Sequence, residues 1–296
     1  MNRPNRWEDN RAAWLFLAPA LLLIGIFFFL PVLASLLLSF TDFDIYAIAD
    51  ANNMRFVGAQ NYLELFQNDI FRVAVRNTFY FALIGGPLTV ATSLGAALLV
   101  NARLTPYRAL FRTIFFVPFV TTLVAVAIVW RYLYHPQYGV FNYMLGWFGI
   151  DPLQWLGDPK LAMPAIILMA VWKNFGYNML IFIAGLQNIP AELYEAAHLD
   201  GAGPFRRFWN ITLPMLGPTF LFVGVITMIG YFQLFAEPYV MTGGGPLRAT
   251  TSLVLLMYEE GFRWWRMGVA ASVAVILFCI ILAWTILQFR LQKERM

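Results

Sequence analysis

The sequence predicts an all-α membrane protein with six transmembrane helices. Of its 296 residues, 60% are hydrophobic and 12% are charged, about half the roughly 25% charge of a soluble domain. Crossing a hydrocarbon core of about 30 Å takes roughly 20 mostly apolar residues in a helix, because only the helix itself can satisfy the backbone polar groups there. Six stretches meet this condition, and we therefore predict one transmembrane domain over residues 1–296.

The predicted spans differ in detail. The first is predicted to be kept as an anchor and not cleaved, because its apolar run extends well past the core of a signal peptide. Arg131 lies close to the end of the third span, where a long side chain can reach the headgroups. The six spans cover residues 14–38, 78–100, 110–133, 161–186, 212–235 and 267–289.

The distribution of basic residues predicts the orientation. With the N-terminus inside, 11 of the 20 Lys and Arg residues fall in the short loops and termini of that side, Arg3, Arg103 and Arg295 among them. Acidic residues lean towards the longer loops of the other side. Because cytoplasmic loops accumulate Lys and Arg, both termini are predicted to be cytoplasmic.

The predicted external segment 56–75 places Tyr62, Leu65, Phe66 and Ile70 near helical spacing. This pattern predicts a short amphipathic helix on the outer surface. A lid over the passage is the alternative, and the spacing alone does not separate the two.

The loop at residues 190–214 predicts a helical hairpin. Pro190 suits a helix start, Gly201 and Gly203 allow a left-handed turn, and Pro204 suits the first position of a second helix. A first helix reaching about residue 199 would thus meet a second at a glycine corner. A hairpin that projects on the cytoplasmic side would offer a contact surface to another protein.

This loop resembles the EAA loop of the inner-membrane components of binding-protein-dependent ABC importers. The matching residues are Glu195, Ala196, Ala197, Asp200, Gly201, Ala202, Phe208, Ile211, Leu213 and Pro214. In that family the first helix is a coupling helix, seated in a cleft of the ATPase subunit. The resemblance therefore implies an ATPase-coupling site formed by Glu195, Ala196, Ala197, Asp200, Gly201 and Ala202.

The resemblance extends along nearly the whole chain. The segments Val171–Asn174 and Tyr239–Pro246 are similar to those of carbohydrate permeases of the maltose and glycerol-3-phosphate type. The resemblance implies a type I ABC importer fold in the bacterial cytoplasmic (inner) membrane. It also implies two copies of an ABC ATPase subunit, a second related permease subunit, an extracytoplasmic solute-binding protein, membrane lipid and a sugar substrate as partners, with no nucleic acid.

The sequence predicts no catalytic residue and no metal site in this chain. The glycines at Gly243 lack the downstream Lys-Ser/Thr of a phosphate loop, so we expect a flexible external turn there. The two histidines do not form a metal-binding pair, and the single cysteine, Cys279, has no partner for an internal disulfide. No cofactor is expected in this chain, since ATP and Mg²⁺ would be bound by the partner ATPase subunits.

Polar residues within the fourth and fifth spans predict a substrate pathway. Charged groups inside a bilayer are costly, so Lys173 should face a polar interior. Hydroxyl and amide groups beside aromatic rings suit a sugar, although the same groups often only bond a neighbouring helix. The predicted pathway residues are Lys173, Asn174, Tyr177, Asn178, Thr227, Tyr231 and Gln233. For Glu237 at the outer end, contact with the external binding protein and simple solvation both stay open.

Two other functional classes are considered. A secondary ion-coupled solute transporter would usually show buried acids and broken, repeated spans, and no predicted span has an acid near its centre. An intramembrane enzyme would need a paired catalytic constellation, which is missing. The identity of the sugar or sugar phosphate, and the subunit that holds it, stay open.

Overall fold

The computed structural model describes residues 6–50, 53–102 and 105–293. The basic residues Arg3, Arg103 and Arg295 lie outside the described residues. Within the described part the regular structure is helical, apart from one isolated antiparallel bridge between Thr41 and Phe56. The prediction of an all-α fold is confirmed.

The helices follow one another in chain order. They are α1 Arg6–Ile24, α2 Leu30–Leu38, α3 Ile45–Ala49, α4 Gln60–Gln67, α5 Asp69–Tyr80, α6 Gly86–Asn101, α7 Arg108–Val120, α8 Leu123–Leu133, α9 Val140–Gly146, α10 Ala162–Gln187, α11 Ala191–Leu199, α12 Pro204–Arg207, α13 Leu213–Met215, α14 Gly217–Phe232, α15 Ala236–Met241, α16 Leu253–Tyr258 and α17 Met267–Lys293. π-Helical turns occupy Gly25–Phe29, Phe81–Gly85, Phe208–Thr212 and Glu259–Arg263.

Six stretches of the described chain have the length and composition of membrane spans. Four are unbroken helical stretches, and two are bent pairs that each make one span if the pair is counted together. The unbroken stretches are Trp14–Leu38, Asp69–Asn101, Ala162–Gln187 and Met267–Gln292. The bent pairs are Arg108–Val120 with Leu123–Leu133, and Pro204–Met215 with Gly217–Phe232. Each of the six predicted spans overlaps one of these stretches.

The helical stretch that contains the second predicted span begins at Asp69, and two helices stand where a single amphipathic helix was expected over residues 56–75. Two helices, α4 and α5, meet at Asn68. Asn68 has an extended backbone, with φ −78° and ψ 121°, and its side chain accepts a hydrogen bond from the Ile70 N–H at 2.8 Å. An asparagine in this role is a helix N-cap, so a new helix starts there and continues through α6.

The third span is broken, contrary to the single helix predicted over residues 110–133. The chain bends by 97° between α7 and α8. Thr121 and Thr122 are extended, with ψ of 146° and 136°. Pro118 near the end of α7 has no N–H and weakens the last turn. The break leaves the final carbonyls of α7 without partners in their own helix.

The fifth span is also bent, by 66° between α12–α13 and α14. The bend lies at Leu216, whose ψ is 0°. Pro214 and Pro218 flank it, and Pro218 has no N–H for the carbonyl four residues earlier. The two prolines therefore separate the hairpin arm from the apolar helix that follows.

The chain divides into two compact units. The first unit comprises residues 1–67 and 257–276, and the second comprises residues 68–256 and 277–296. In the first unit the Ser272 hydroxyl donates to the Ser39 carbonyl at 2.9 Å. Asn61 donates to the carbonyls of Ser39 and Thr41 at 2.9 and 2.8 Å. These bonds hold the start of α17 and the start of α4 against the chain that follows α2.

The second unit is built around α10, which packs against α6, α7 and α14. Gly176 lets α10 approach α7 closely, because a Cβ at this position would lie 1.8 Å from the Phe115 carbonyl oxygen. The buried core beside α10 consists of Ala97, Val100, Met179, Phe182, Ile183, Leu186, Ile189, Leu216 and Val223. This core fixes α10 and α14 side by side, with their polar residues on a shared face.

Candidate substrate cavity and coupling hairpin

A cavity of about 300 Å³ lies in the second unit, between α10, α14 and the break of the third span. Six of the seven predicted pathway residues line it: Lys173, Asn174, Tyr177, Asn178, Thr227 and Tyr231. The seventh, Gln233, is exposed at the end of α14 and is not among the lining residues. Helical spacing places the six residues on helix faces that border the cavity. Gln233 comes after the last residue of α14, so its side chain lies outside the lining.

Lys173 is buried, with 6% of its surface exposed, and it caps the broken third span. Its Nζ donates to the carbonyls of Pro118, Phe119 and Thr121 at 3.2, 3.0 and 3.0 Å. The Nζ also lies 5.6 Å from the centre of the Phe119 ring. A helix C-terminus carries a partial negative charge and unpaired carbonyls, so it is a favourable place for an ammonium group. Main-chain carbonyls thus supply the polar surroundings that the sequence predicted for Lys173.

The amides and hydroxyls of the cavity are bonded to one another. Asn178 donates to the Thr227 hydroxyl at 2.8 Å, and the hydroxyls of Tyr231 and Thr89 share a hydrogen bond. Asn174 donates to a carbonyl one turn earlier in α10. These groups therefore join α10, α14 and α6 while they line the cavity, so packing and lining are combined in the same residues.

Two aromatic pairs form flat walls of the cavity. The rings of Phe119 and Tyr177 stack with centroids 4.5 Å apart and planes 12° apart. Those of Phe81 and Tyr231 stack at 4.8 Å and 22°. Flat apolar faces next to amide and hydroxyl groups match a small polar ligand that has apolar faces of its own. Sequence analysis missed Phe81 and Phe119, because aromatic residues in membrane spans are common.

Glu237, in α15, lines the same cavity and is only 9% exposed. Its interpretation as a solvated residue is therefore wrong. Burial raises the pKa of the Glu237 carboxyl above its usual value, while hydrogen bonds from the backbone amides of Glu237 and Phe235 and the charge of Lys173 act in the opposite direction. The sequence placed Glu237 in an external loop, because it follows the apolar run of the fifth predicted span.

The predicted hairpin is present, and its first helix, α11, contains no buried residue. Gly201 has a left-handed backbone with φ +74°. The N–H of Ala202 donates to the Ala197 carbonyl at 2.9 Å, and the N–H of Gly201 donates to the His198 carbonyl at 3.1 Å. This pair of bonds is the Schellman arrangement, which ends a helix at a glycine. The small residues of the pattern thus close the corner of the hairpin.

The second arm begins where the sequence predicts. Pro204 is the first residue of α12, and Gly203 precedes it with φ −69° and ψ 168°. Gly201 alone therefore supplies the left-handed turn. The hydroxyls of Tyr194 and Thr212 join the two arms at 2.9 Å. Among the six predicted coupling residues, Ala197 and Ala202 are half-buried and the other four are exposed.

A family model described as "Binding-protein-dependent transport system inner membrane component" matches residues 88–294. The chain belongs to this family. The permease is 37% identical to the lactose transport system permease protein LacF of Rhizobium radiobacter over 287 residues, which cover 95% of this chain and 94% of that protein. It is 35% identical to the probable ABC transporter permease protein YurN of Bacillus subtilis over 289 residues, which cover 97% of both chains.

A solved structure shares the fold of the permease. A chain of a bacterial ABC transporter involved in the import of the acidic polysaccharide alginate superposes with a TM-score of 0.81 at 24% identity. The match covers 97% of the permease and 98% of that chain. The predicted type I importer fold is confirmed, and the family description agrees with a component of the inner membrane.

The glycine-rich turn of the permease follows α15. Gly243 and Gly244 have φ of +61° and +86°. The Thr251 hydroxyl donates to the Gly244 carbonyl at 3.1 Å, and Asn77 of α5 donates to the Thr251 carbonyl at 3.0 Å. The reversal of the backbone is as predicted, but hydrogen bonds fix the turn that was expected to be flexible. The turn thereby joins α15, and Glu237 with it, to α5 within the second unit.

Proposed function

We propose that the permease forms, with a second related permease subunit, the membrane passage of an ABC importer. Two copies of an ATP-hydrolysing subunit drive it, and an extracytoplasmic solute-binding protein delivers a sugar or sugar derivative. The exposed hairpin carries this proposal, because its coupling pattern runs from a helix with no buried residue into the glycine corner that follows it.

The surface of the hairpin supports a protein partner. Leu199 and Phe205 beside the corner are 86% and 76% exposed. Large apolar side chains grouped on a projecting element mark an interaction site, since water solvates them poorly. An ATPase cleft that receives α11 would cover them, and closure of two such subunits would pull on the hairpin and rock the spans.

The location of the energy source follows from the same proposal. ATP and Mg²⁺ are bound by the partner subunits, and this chain needs no cofactor. The hairpin and both termini lie on the cytoplasmic side of the inner membrane, where ATP is available. The solute-binding protein approaches from the opposite side.

The chemistry of the cavity supports a sugar. The stacked Phe119–Tyr177 pair offers a flat face to a sugar ring, and Asn174, Asn178 and Thr227 offer amide and hydroxyl groups to its rim. The relative LacF is named as a lactose transport permease, which agrees with this substrate class.

Coupling is tested with Glu195→Ala in the complete complex, reconstituted with its ATPase and solute-binding protein. We expect substrate-stimulated ATP hydrolysis to fall about tenfold, which equals a change of about 1.4 kcal/mol in the barrier. Glu192→Ala on the same exposed helix is the matched control and should keep activity near that of the wild type. Unchanged stimulation in Glu195→Ala would remove Glu195 from the coupling site.

A gradient-driven transporter is the competing function. Secondary transporters also use broken helices at their binding sites, and the third span of the permease is broken. Uptake into vesicles separates the two functions. We expect uptake to require ATP and to persist when ionophores collapse the ion gradients, and uptake that needs only a gradient would exclude the importer.

A further inference from the structure

We propose that the charge this cavity presents to its substrate is the carboxyl group of Glu237 and not the ammonium group of Lys173, so that the site takes an uncharged polyhydroxylated solute and disfavours an anionic one. The inference rests on the proposed role of the cavity in sugar passage. It goes further by assigning the charge class of the substrate.

The ammonium group of Lys173 is already engaged. An ammonium has three N–H donors, and Nζ has three carbonyl acceptors at 3.0–3.2 Å, those of Pro118, Phe119 and Thr121. Its field is also opposed by the negative end of the 13-residue helix α7. A substrate phosphate or carboxylate would have to displace a carbonyl to bind Lys173. Lys173 is therefore a positioning residue that holds the broken third span.

Glu237 is the other charged residue of the cavity wall. Among the described residues that line the cavity, only Lys173 and Glu237 carry an amino or a carboxyl group. Glu237 is buried on α15 and borders the same space as Tyr177 and Thr227. The charge of Lys173 favours the ionised form of Glu237, but its Nζ already donates to three carbonyls. Among the described residues that line the cavity, no other cationic side chain remains to bind an incoming anion.

The consequence for the substrate follows from desolvation. An anionic group that enters this space loses water, finds no unengaged N–H cation and meets a carboxylate of like charge. A sugar hydroxyl can instead donate to the Glu237 carboxylate, and hydrogen bonds to ionised acceptors are about twice as strong as neutral ones. The cavity thus selects against sugar phosphates by repulsion and in favour of neutral sugars by acceptance.

The sign of the charge is measured with thiol reagents of opposite charge. Ile226 lines the cavity, and Ile226→Cys in a Cys279→Ser background gives one reporting thiol in this chain. The whole importer complex in nanodiscs is treated with 2-(trimethylammonium)ethyl or 2-sulfonatoethyl methanethiosulfonate. Mass spectrometry of this chain follows the two rates, each divided by the rate with free 2-mercaptoethanol. Leu247→Cys, at a site 89% exposed, is the surface control.

We expect the cationic reagent to react at least about tenfold faster at Ile226→Cys after this normalisation, a factor that corresponds to a modest local potential. Glu237→Gln should bring the ratio close to that of the surface control. Lys173→Gln, which keeps donors for the carbonyls, should leave the preference for the cation in place.

Three other results would contradict a negative charge in the cavity. A preference for the anionic reagent that Lys173→Gln abolishes would overturn the inference, and so would equal rates. Failure of Ile226→Cys to react with either reagent, while Leu247→Cys reacts, would also overturn it, since the cavity would then be closed to solutes. ATP-driven uptake by the same complex is measured in parallel. A missing charge preference with intact uptake removes this inference alone, whereas uptake without ATP removes the proposed function.

Discussion

Replacing Lys173 by Met tests how the broken third span is stabilised. The substitution keeps a long apolar side chain but removes the donors that bind the carbonyls of Pro118, Phe119 and Thr121. Each carbonyl then needs another partner, because an unpaired backbone acceptor inside a membrane protein is costly.

The size of the effect follows from the burial of the three bonds. Only the bond to Pro118 is fully buried, and the other two are partly exposed, so that water can replace the ammonium group there. One buried acceptor left without a partner costs about 1–3 kcal/mol. We therefore expect Lys173→Met to lower the free energy of unfolding by about 2 kcal/mol.

The assay is reversible unfolding in mixed micelles with increasing SDS, followed by circular dichroism. Lys160→Met, at an exposed lysine outside the spans, is the matched control, and a surface change of this kind usually stays within about 0.5 kcal/mol. A Lys173→Met variant as stable as the control would show that the ammonium group does not hold the break.

Three further predictions follow from other parts of the second unit. Gly201→Ala should weaken the hairpin corner by about 1–2 kcal/mol, the usual cost of a left-handed backbone for a residue with a Cβ, and lower substrate-stimulated ATP hydrolysis; Gly203→Ala, with φ −69° and free space around its Cβ, should have little effect. Gly176→Ala should lower the melting temperature in detergent, because its Cβ would lie 1.8 Å from the Phe115 carbonyl oxygen and overpacking costs about 1–3 kcal/mol; an unchanged melting temperature would contradict the close approach. For Glu237, a pKa raised above 4.5 means that the folded state keeps its proton to higher pH than the unfolded state, so stability is lost as the pH rises above 4.5; unfolding at several pH values should show this loss in the wild type and a smaller one in Glu237→Gln.

The sequence predicts the helices and the hairpin well, because their signals are local. Apolar runs of about 20 residues specify spans without knowledge of neighbours. The corner at Gly201 is likewise set by a residue whose backbone tolerates φ +74°. Six of the seven predicted pathway residues line one cavity, because residues at helical spacing share a face once the helix is rotated towards it.

The break of the third span could not be predicted in the same way. Pro19 lies inside the unbroken first span, whereas Pro118 comes just before a bend of 97°. A proline alone is thus an ambiguous signal. What separates the two sites is the set of partners for the freed carbonyls, and Lys173 supplies them from another helix. That contact joins residues about fifty positions apart, so no local pattern contains it.

Glu237 shows the second kind of missed signal. By hydropathy it follows the fifth span and belongs to an external loop. In the fold, the hydrogen-bonded turn at Gly244 and Thr251 fixes α15 within the second unit, and the carboxyl group of Glu237 reaches the cavity wall. Burial of a short helix after a span depends on these tertiary bonds and not on the composition of the segment.

The contact between the hairpin and an ATP-hydrolysing subunit is tested most directly by site-specific photo-crosslinking in the assembled complex. p-Benzoylphenylalanine is placed at Leu199, 86% exposed at the end of α11, and as a control at Leu247, 89% exposed in the turn after α15. This contact predicts a crosslink from Leu199 to the ATP-hydrolysing subunit and none from Leu247. A Leu199 probe that crosslinks only to lipid or to the solute-binding protein, or an ATPase crosslink formed from Leu247 instead, would contradict it.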